Sequence, residues 1–281
     1  MFDCAIIGTG PAGISAALNL KIHNKNFLWL GNRDLSEKVT KAEKISNYPG
    51  FPDADGATLN AAFRRQIDAM GIGITDRMVT AVYPMGGHYA LAAGADFYEA
   101  KTLILATGVA ATGVLPGETA FLGRGVSYCA TCDGGLYRKK TVAVISSNPR
   151  FAHEVSFLCE LADTVYFFPT YRGENPKAEN LRMPDARPRE IIGEQRVTAL
   201  SLSDGSTLPV DGVFCLRDAV SLATLLPGLA CENGHIVVDR DMKTNLPGVF
   251  AAGDCTGRPY QYTKAVGEGN VAAHSVIKAL S

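Results

Sequence analysis

The stretch FDCAIIGTGPAGISAALNLKIHNKNFLWLGN, residues 2–32, decides the fold. An apolar run of strand length meets a glycine-rich turn, then a helical segment, then a second apolar strand, FLWL. This is one complete βαβ unit, and it predicts an α/β, Rossmann-like domain. Gly8, Gly10 and Gly13 fit G-x-G-x-x-G. The first glycine permits the tight turn, the second lets backbone approach a pyrophosphate, and the third brings helix against strand. With Pro11 and Ala12 they form a candidate dinucleotide cradle, the anion resting on free amides at the helix start. The acidic residue that usually grips a ribose about 20 residues on is missing. Gly31, Asn32 and Arg33 stand there instead, and Asn32 is the candidate ribose ligand. Trp29, mid-strand, reads as core filler rather than a stacking platform.

Two further apolar strands end in glycine: KTLILATG (residues 101–108) and LPGVFAAGDC (residues 246–255). Both ends are expected near the nucleotide crevice, which brings in Thr107, Gly108, Gly253 and Asp254. The helix AVGEGNVAAHSVIKAL (residues 265–280) follows, its positive end available to an anionic group. Between these strands a second strand-helix-strand occurs: TVAVISS, FAHEVSFLCELA and TVYFFP. A proline-marked charged segment and a β-rich stretch with SDGS and ENGH turns come next. The chain therefore reads as two Rossmann-like, three-layer domains, one inserted into the other. The expected boundaries are 1–114, 115–243 and 244–281.

Composition narrows the chemistry. The 281 residues are 47% hydrophobic with a net charge of −1, which gives no bulk attraction for nucleic acid or an anionic membrane surface. No apolar run reaches the roughly 20 residues of a membrane span, and the opening residues lack a signal-peptide pattern, so a cytoplasmic location is expected. There are seven cysteines, an odd number, and only Cys129 and Cys132 form a CxxC pair. That pattern disfavours a secreted disulfide framework or a zinc site and favours redox chemistry. Cys4, Cys159, Cys215, Cys231 and Cys255 read as structural.

Four landmarks in order then carry a resemblance: GTGPAG (8–13), SNYPGFP (46–52), GRGVSYCATCDG (123–134) and PGVFAAGDC (247–255). Over nearly its whole length the chain resembles the low-molecular-weight, bacterial-type thioredoxin reductases. The resemblance implies an FAD domain built from both chain ends, a central redox-dithiol domain and a homodimer. It adds Asn47, Tyr262 and Ala265 to the FAD-binding candidates. It also assigns Cys132 to the flavin side, Cys129 to attack on the partner's disulfide, and Asp133 to proton donation. Thiolate is the attacking form, and a CxxC at a helix start lowers a cysteine pKa.

One landmark of that family is absent. Its central domain carries a GGGxxA loop for NADPH and, further on, an HRR cluster for the 2′-phosphate. Here the loop reads Ser146, Ser147, Asn148, Pro149, Arg150, Phe151, and the cluster reads Pro169, Thr170, Tyr171. Side chains replace the glycines, proline removes an amide, and the bidentate guanidinium contacts are lost. Where relatives carry Arg-Gln-Ala beside the flavin, this chain has Gln261, Tyr262 and Thr263, and Tyr260 or Tyr262 is a candidate to stack on the ring. The pattern resembles the ferredoxin-dependent flavin thioredoxin reductases of anaerobic bacteria, which makes thioredoxin the expected acceptor and ferredoxin the expected donor. Lys21 and Lys25; Lys38, Lys41 and Lys44; and Arg138, Lys139 and Lys140 are candidate patches for an acidic ferredoxin. Two alternatives stay open: an unorthodox NADPH or NADH site using Arg150 and Arg172, and a flavin redox sensor whose CxxC switches without turnover.

Overall fold

A computed structural model describes residues 1–40, 42–109, 115–118, 120–217 and 225–281. The chain divides into two compact units: Met1–Ala110 with Leu222–Ser281, and Ala111–Ser221 between them.

The first unit opens with β1 (Phe2–Ile7), α1 (Pro11–Ile22) and β2 (Phe27–Leu30), the βαβ unit read from the sequence. The short helix α2 (Glu37–Thr40) leads to α3 (Gly56–Ala69), whose start is capped by the Asp55 carboxylate accepting from Thr58 N at 2.7 Å. An antiparallel meander follows: β3 (Val79–Pro84), β4 (Tyr89–Ala93) and β5 (Asp96–Leu105). The far end of β5 pairs in parallel with β1, Ile7 opposite Leu105. Glycine-turn and β5 ends therefore meet at one carboxyl edge. Apolar residues cover both faces of this sheet. Ile14, Leu20, Trp29, Leu59 and Val276 pack on one side and Leu28, Leu91, Leu103 and Ile236 on the other.

The second unit begins at β6 (Val126–Ser127) and the one-turn α4 (Ala130–Asp133), then β7 (Thr141–Ser146), α5 (Ala152–Leu161) and β8 (Thr164–Pro169). After β9 (Leu181–Arg182) come β10 (Pro188–Gly193), β11 (Val197–Leu202) and β12 (Thr207–Pro209), a separate antiparallel sheet, then β13 (Gly212–Leu216). The main sheet is parallel throughout, in the order β6-β13-β7-β8-β9. Parallel strands buried on both faces need continuous apolar runs, and VAVI and GVFCL supply them.

The chain returns to the first unit through β14 (Cys231–Glu232), β15 (His235–Ile236), β16 (Val249–Ala251) and the long helix α6 (Tyr262–Ala279). This return precedes the expected 243/244 boundary. Leu225, Leu226, Leu229 and Ile236 bury against the first sheet, so the ENGH hairpin belongs with it. Glycine permits the close approach of α6 to α1: a Cβ on Gly269 of α6 would lie 2.1 Å from Ala12 O of α1.

Candidate functional site

The first glycine turn is an open cradle. Gly8 has φ +115°, and a Cβ there would fall 2.2 Å from Ala106 O; a Cβ on Gly13 would fall 2.0 Å from Gly8 O. These two glycines are required by packing. Gly10 differs: the space above it is empty to 4 Å, and it stands at the N-cap of α1 with no side chain capping the helix. No acidic residue lies in the first turn of α1. Free helix amides facing open space are what a pyrophosphate needs. Pro11 occupies the first helical position, where its missing N–H costs nothing.

Other predicted ligands converge on this edge. Thr107 follows β5 with its hydroxyl buried beside the Cys255 thiol and without a full hydrogen bond of its own, while Cys255 Sγ bonds to Leu105 O and Ala252 O, each at 3.3 Å. A polar ligand would satisfy that hydroxyl. Gly108 (φ +68°) and Gly253 (φ +91°) take left-handed conformations, and a Cβ on Gly253 would meet Ala12 at 3.0 Å and Ala265 at 3.6 Å. Asp254 is half-buried, and burial raises its pKa against the opposing charges of Lys264 and Lys38. Asn32 sits at the end of β2, its Oδ1 accepting the Asp34 amide at 2.8 Å, so its side-chain N–H groups remain for a ribose. Asn47 Nδ2 donates to Gln261 Oε1 at 2.6 Å, tying the 46–52 loop to the start of α6. Tyr262 packs against the core cluster of the first unit, whereas Tyr260 is on the surface, bonded to His235 Nε2 at 2.6 Å. The cradle fits FAD.

Two features of this cradle went unread in the sequence. Trp29 is buried as expected, but its indole N–H also donates to Gly8 O at 2.9 Å and so fixes the turn. Lys264 and Glu268, one turn apart on α6, clamp the 253–257 turn. Glu268 accepts Gly253 N (2.8 Å) and the Thr256 hydroxyl (2.9 Å), while Lys264 donates to Gly253 O and Gly257 O, both at 2.8 Å. An i,i+4 Lys/Glu pair near a GD turn was the available signal.

In the second unit, Cys129 is half-buried and disulfide-bonded. Cys132 lies in α4, and its side chain, like Lys41, is outside the described residues. Cys129 Sγ lies 3.5 Å from the Thr131 hydroxyl. Asp133 ends α4, its Oδ2 accepting from the Ser127 hydroxyl at 2.6 Å. Glu154 of α5 accepts the Ala130 amide at 3.1 Å, and burial raises its pKa. The five remaining cysteines are free thiols, and burial pushes Cys4 to about 12 and Cys159 and Cys255 to about 11. Such thiols are poor nucleophiles at neutral pH.

The second βα turn, residues 146–151, is closed on itself. Ser147 N donates to Leu216 O (3.0 Å), Arg150 N to Asn148 Oδ1 (3.0 Å) and Phe151 N to Asn148 O (3.2 Å). Phe151 is buried among Val144, Val155 and Phe214. Both the amide and hydroxyl of Thr170 bond to Ser146 O. The Arg150 guanidinium lies 4.7 Å over the Phe151 ring.

Comparison with known proteins agrees with this geometry. Residues 2–146 and 181–269 match the model of the pyridine nucleotide-disulphide oxidoreductase family. A crystal structure of a ferredoxin-flavin thioredoxin reductase from Clostridium acetobutylicum is 43% identical, with a TM-score of 0.94 over 99% of this chain and 97% of that one. The thioredoxin reductase of Gloeobacter violaceus is 30% identical, with a TM-score of 0.81 over 98% and 92%. The thioredoxin reductase of Helicobacter pylori is 34% identical over all of this chain and 99% of its own. The cradle, the dithiol and these similarities agree: the chain belongs to the FAD-binding pyridine nucleotide-disulphide oxidoreductases, within the thioredoxin reductase family.

Proposed function

We propose that this chain is a ferredoxin-dependent flavin thioredoxin reductase, working as a cytoplasmic homodimer. Electrons pass from reduced ferredoxin through FAD to Cys129 and Cys132 and then to thioredoxin. The observation that carries the reading is the closed turn at residues 146–151. Amides that would cradle a nucleotide pyrophosphate are bonded internally, and Phe151 fills the space beneath them. A ferredoxin-flavin enzyme at 43% identity supports the same donor.

When bound, FAD supplies a store that accepts single electrons and delivers a pair to a disulfide. The chain's own residues hold and orient it: Gly8, Gly10, Pro11, Ala12 and Gly13 at the pyrophosphate, Asn32 at the ribose, and Thr107, Gly108, Gly253, Asp254, Asn47, Tyr262 and Ala265 along the rest of the cofactor. In the outgoing half-reaction the Cys129 thiolate attacks one sulfur of the thioredoxin disulfide. A Cys129–partner bond forms, the partner's S–S bond breaks, and Asp133 protonates the departing sulfur. Cys132 then attacks Cys129 and releases reduced thioredoxin. Among the basic patches, Lys44 already pairs with Asp53 at 3.1 Å and Lys140 lies over the Tyr137 ring.

The test is anaerobic titration of the yellow holoprotein with reduced ferredoxin, NADPH and NADH while following the flavin band. Bleaching by ferredoxin alone, with thioredoxin turnover, is the expected result. Rapid bleaching by NADPH would return the donor to a pyridine nucleotide held by Arg150 and Arg172. Bleaching with no thioredoxin turnover would leave a redox sensor.

A further inference from the structure

We infer that Ser127 is the positioning residue of the dithiol chemistry, its single hydroxyl joining the Cys129 amide to the Asp133 carboxylate. The inference rests on the reading of Asp133 as proton donor. Ser127 ends β6, whose register is fixed by pairing with Phe214 of β13, and its side chain is buried. Its Oγ accepts N–H from Cys129 at 3.1 Å and donates to Asp133 Oδ2 at 2.6 Å. The Cys129 carbonyl lies 3.2 Å from the same oxygen.

A serine hydroxyl has one proton and two lone pairs. With Asp133 ionised, that proton belongs on the carboxylate, at a distance typical of a charge-assisted bond. With Asp133 protonated, the same oxygen accepts the carboxyl proton and turns its own towards the Cys129 carbonyl. Both proton states of Asp133 are thus satisfied in one place, with no backbone movement. When Asp133 gives its proton to the departing partner sulfur, the electron pair left on the carboxylate meets the Ser127 proton by a hydroxyl rotation alone. Because the hydroxyl also holds the Cys129 amide, acid and nucleophile keep their relation through the step.

A double-mutant cycle on the holoenzyme tests this, using Ser127→Ala and Asp133→Asn. The readout is the single-turnover rate of thioredoxin reduction by enzyme reduced beforehand. Ser127→Ala is expected to slow transfer about tenfold, a fraction of what a positioned acid contributes. Ser127→Thr, which keeps the hydroxyl, restores most of the rate. Flavin content and the visible spectrum stay as in the parent, separating this effect from misfolding. In the Asp133→Asn background, Ser127→Ala should add much less than it does alone, because residues acting as a unit are not additive and only its hold on the Cys129 amide is left to lose. An undiminished effect in that background overturns the inference, and so does a parental rate in Ser127→Ala beside a slow Asp133→Asn. A parental rate in Asp133→Asn overturns the proton-donor reading and this inference with it.

Discussion

The two βα turns of this molecule share a topology and differ in what their amides do. Residues 8–13 leave the start of α1 uncapped, with no acidic side chain in its first turn and open space at Gly10. Both turns bond one amide to a neighbouring strand, Gly8 N to Leu30 O and Ser147 N to Leu216 O, but residues 146–151 also spend the Arg150 and Phe151 amides on Asn148, and bury Phe151 where the other turn has a small residue. A Rossmann turn is thus a ligand site only while its backbone stays unsatisfied. Where the turn itself supplies the partners, as Asn148 does for Arg150 and Phe151, it offers a phosphate fewer donors, which is the basis of the donor proposed above.

The largest expected effect comes from breaking the open turn. Gly13→Ala places a methyl 2.0 Å from Gly8 O, which no rotamer relieves, so α1 must move off β1. Purified variant protein should hold under about a tenth of the parental flavin, as expected when the close helix–strand packing that sets the cradle is lost. Parental flavin content would show that the close approach is not what binds the cofactor. Less severe is Phe151→Ala in the closed turn. It should cost about 3–5 kcal/mol in urea unfolding of the second unit, the usual loss for a buried phenylalanine, while the folded protein keeps its flavin. Gain of NADPH-driven flavin bleaching in this variant would mean that one ring alone closed the site. The expectation is none, because Ser147 N and Thr170 remain bonded.

How much of this was legible in the sequence follows from range. The glycine pattern at 8, 10 and 13 and the CxxC are local signals, and each fixes its own backbone. The departure of the second turn from the family's loop is equally local, since Ser146, Ser147 and Asn148 sit where that loop has glycine and Phe151 where it has a small residue. What sequence reasoning missed were partners brought together by tertiary pairing. Trp29 meets Gly8 O only through the β1–β2 ladder, and Glu154 reaches the Ala130 amide 24 residues away. Residues 225–243 belong to the first compact unit, because a hairpin motif says nothing about the sheet it packs on. Tyr260 lies on the surface against His235, since an aromatic in a loop carries no sign of which way it faces.

The smallest effect is electrostatic, and it sharpens the comparison further. Where α1 keeps its first turn free of acid, α5 places Glu154 there, half-buried against the dithiol helix. Burial raises its pKa above 4.5, outweighing the Ala130 hydrogen bond and the charges of His153 and Arg150. In the window between 4.5 and that raised value, the folded protein binds more protons than the unfolded chain. The contribution of Glu154 to stability is therefore full below the window and is lost as pH rises through it. Asp254 contributes in the same direction from the first unit, also through burial. Glu154→Gln keeps an acceptor for Ala130 but cannot ionise, so urea midpoints measured across this range should fall less steeply with pH than in the parent. The remaining slope belongs to Asp254 and other groups. If the two slopes coincide, Glu154 is solvated in the folded protein and the contrast between the two helix starts carries no electrostatic part. A flatter slope means that the Glu154 carboxyl, held against the Ala130 amide of the dithiol helix, titrates in a buried setting at the start of α5.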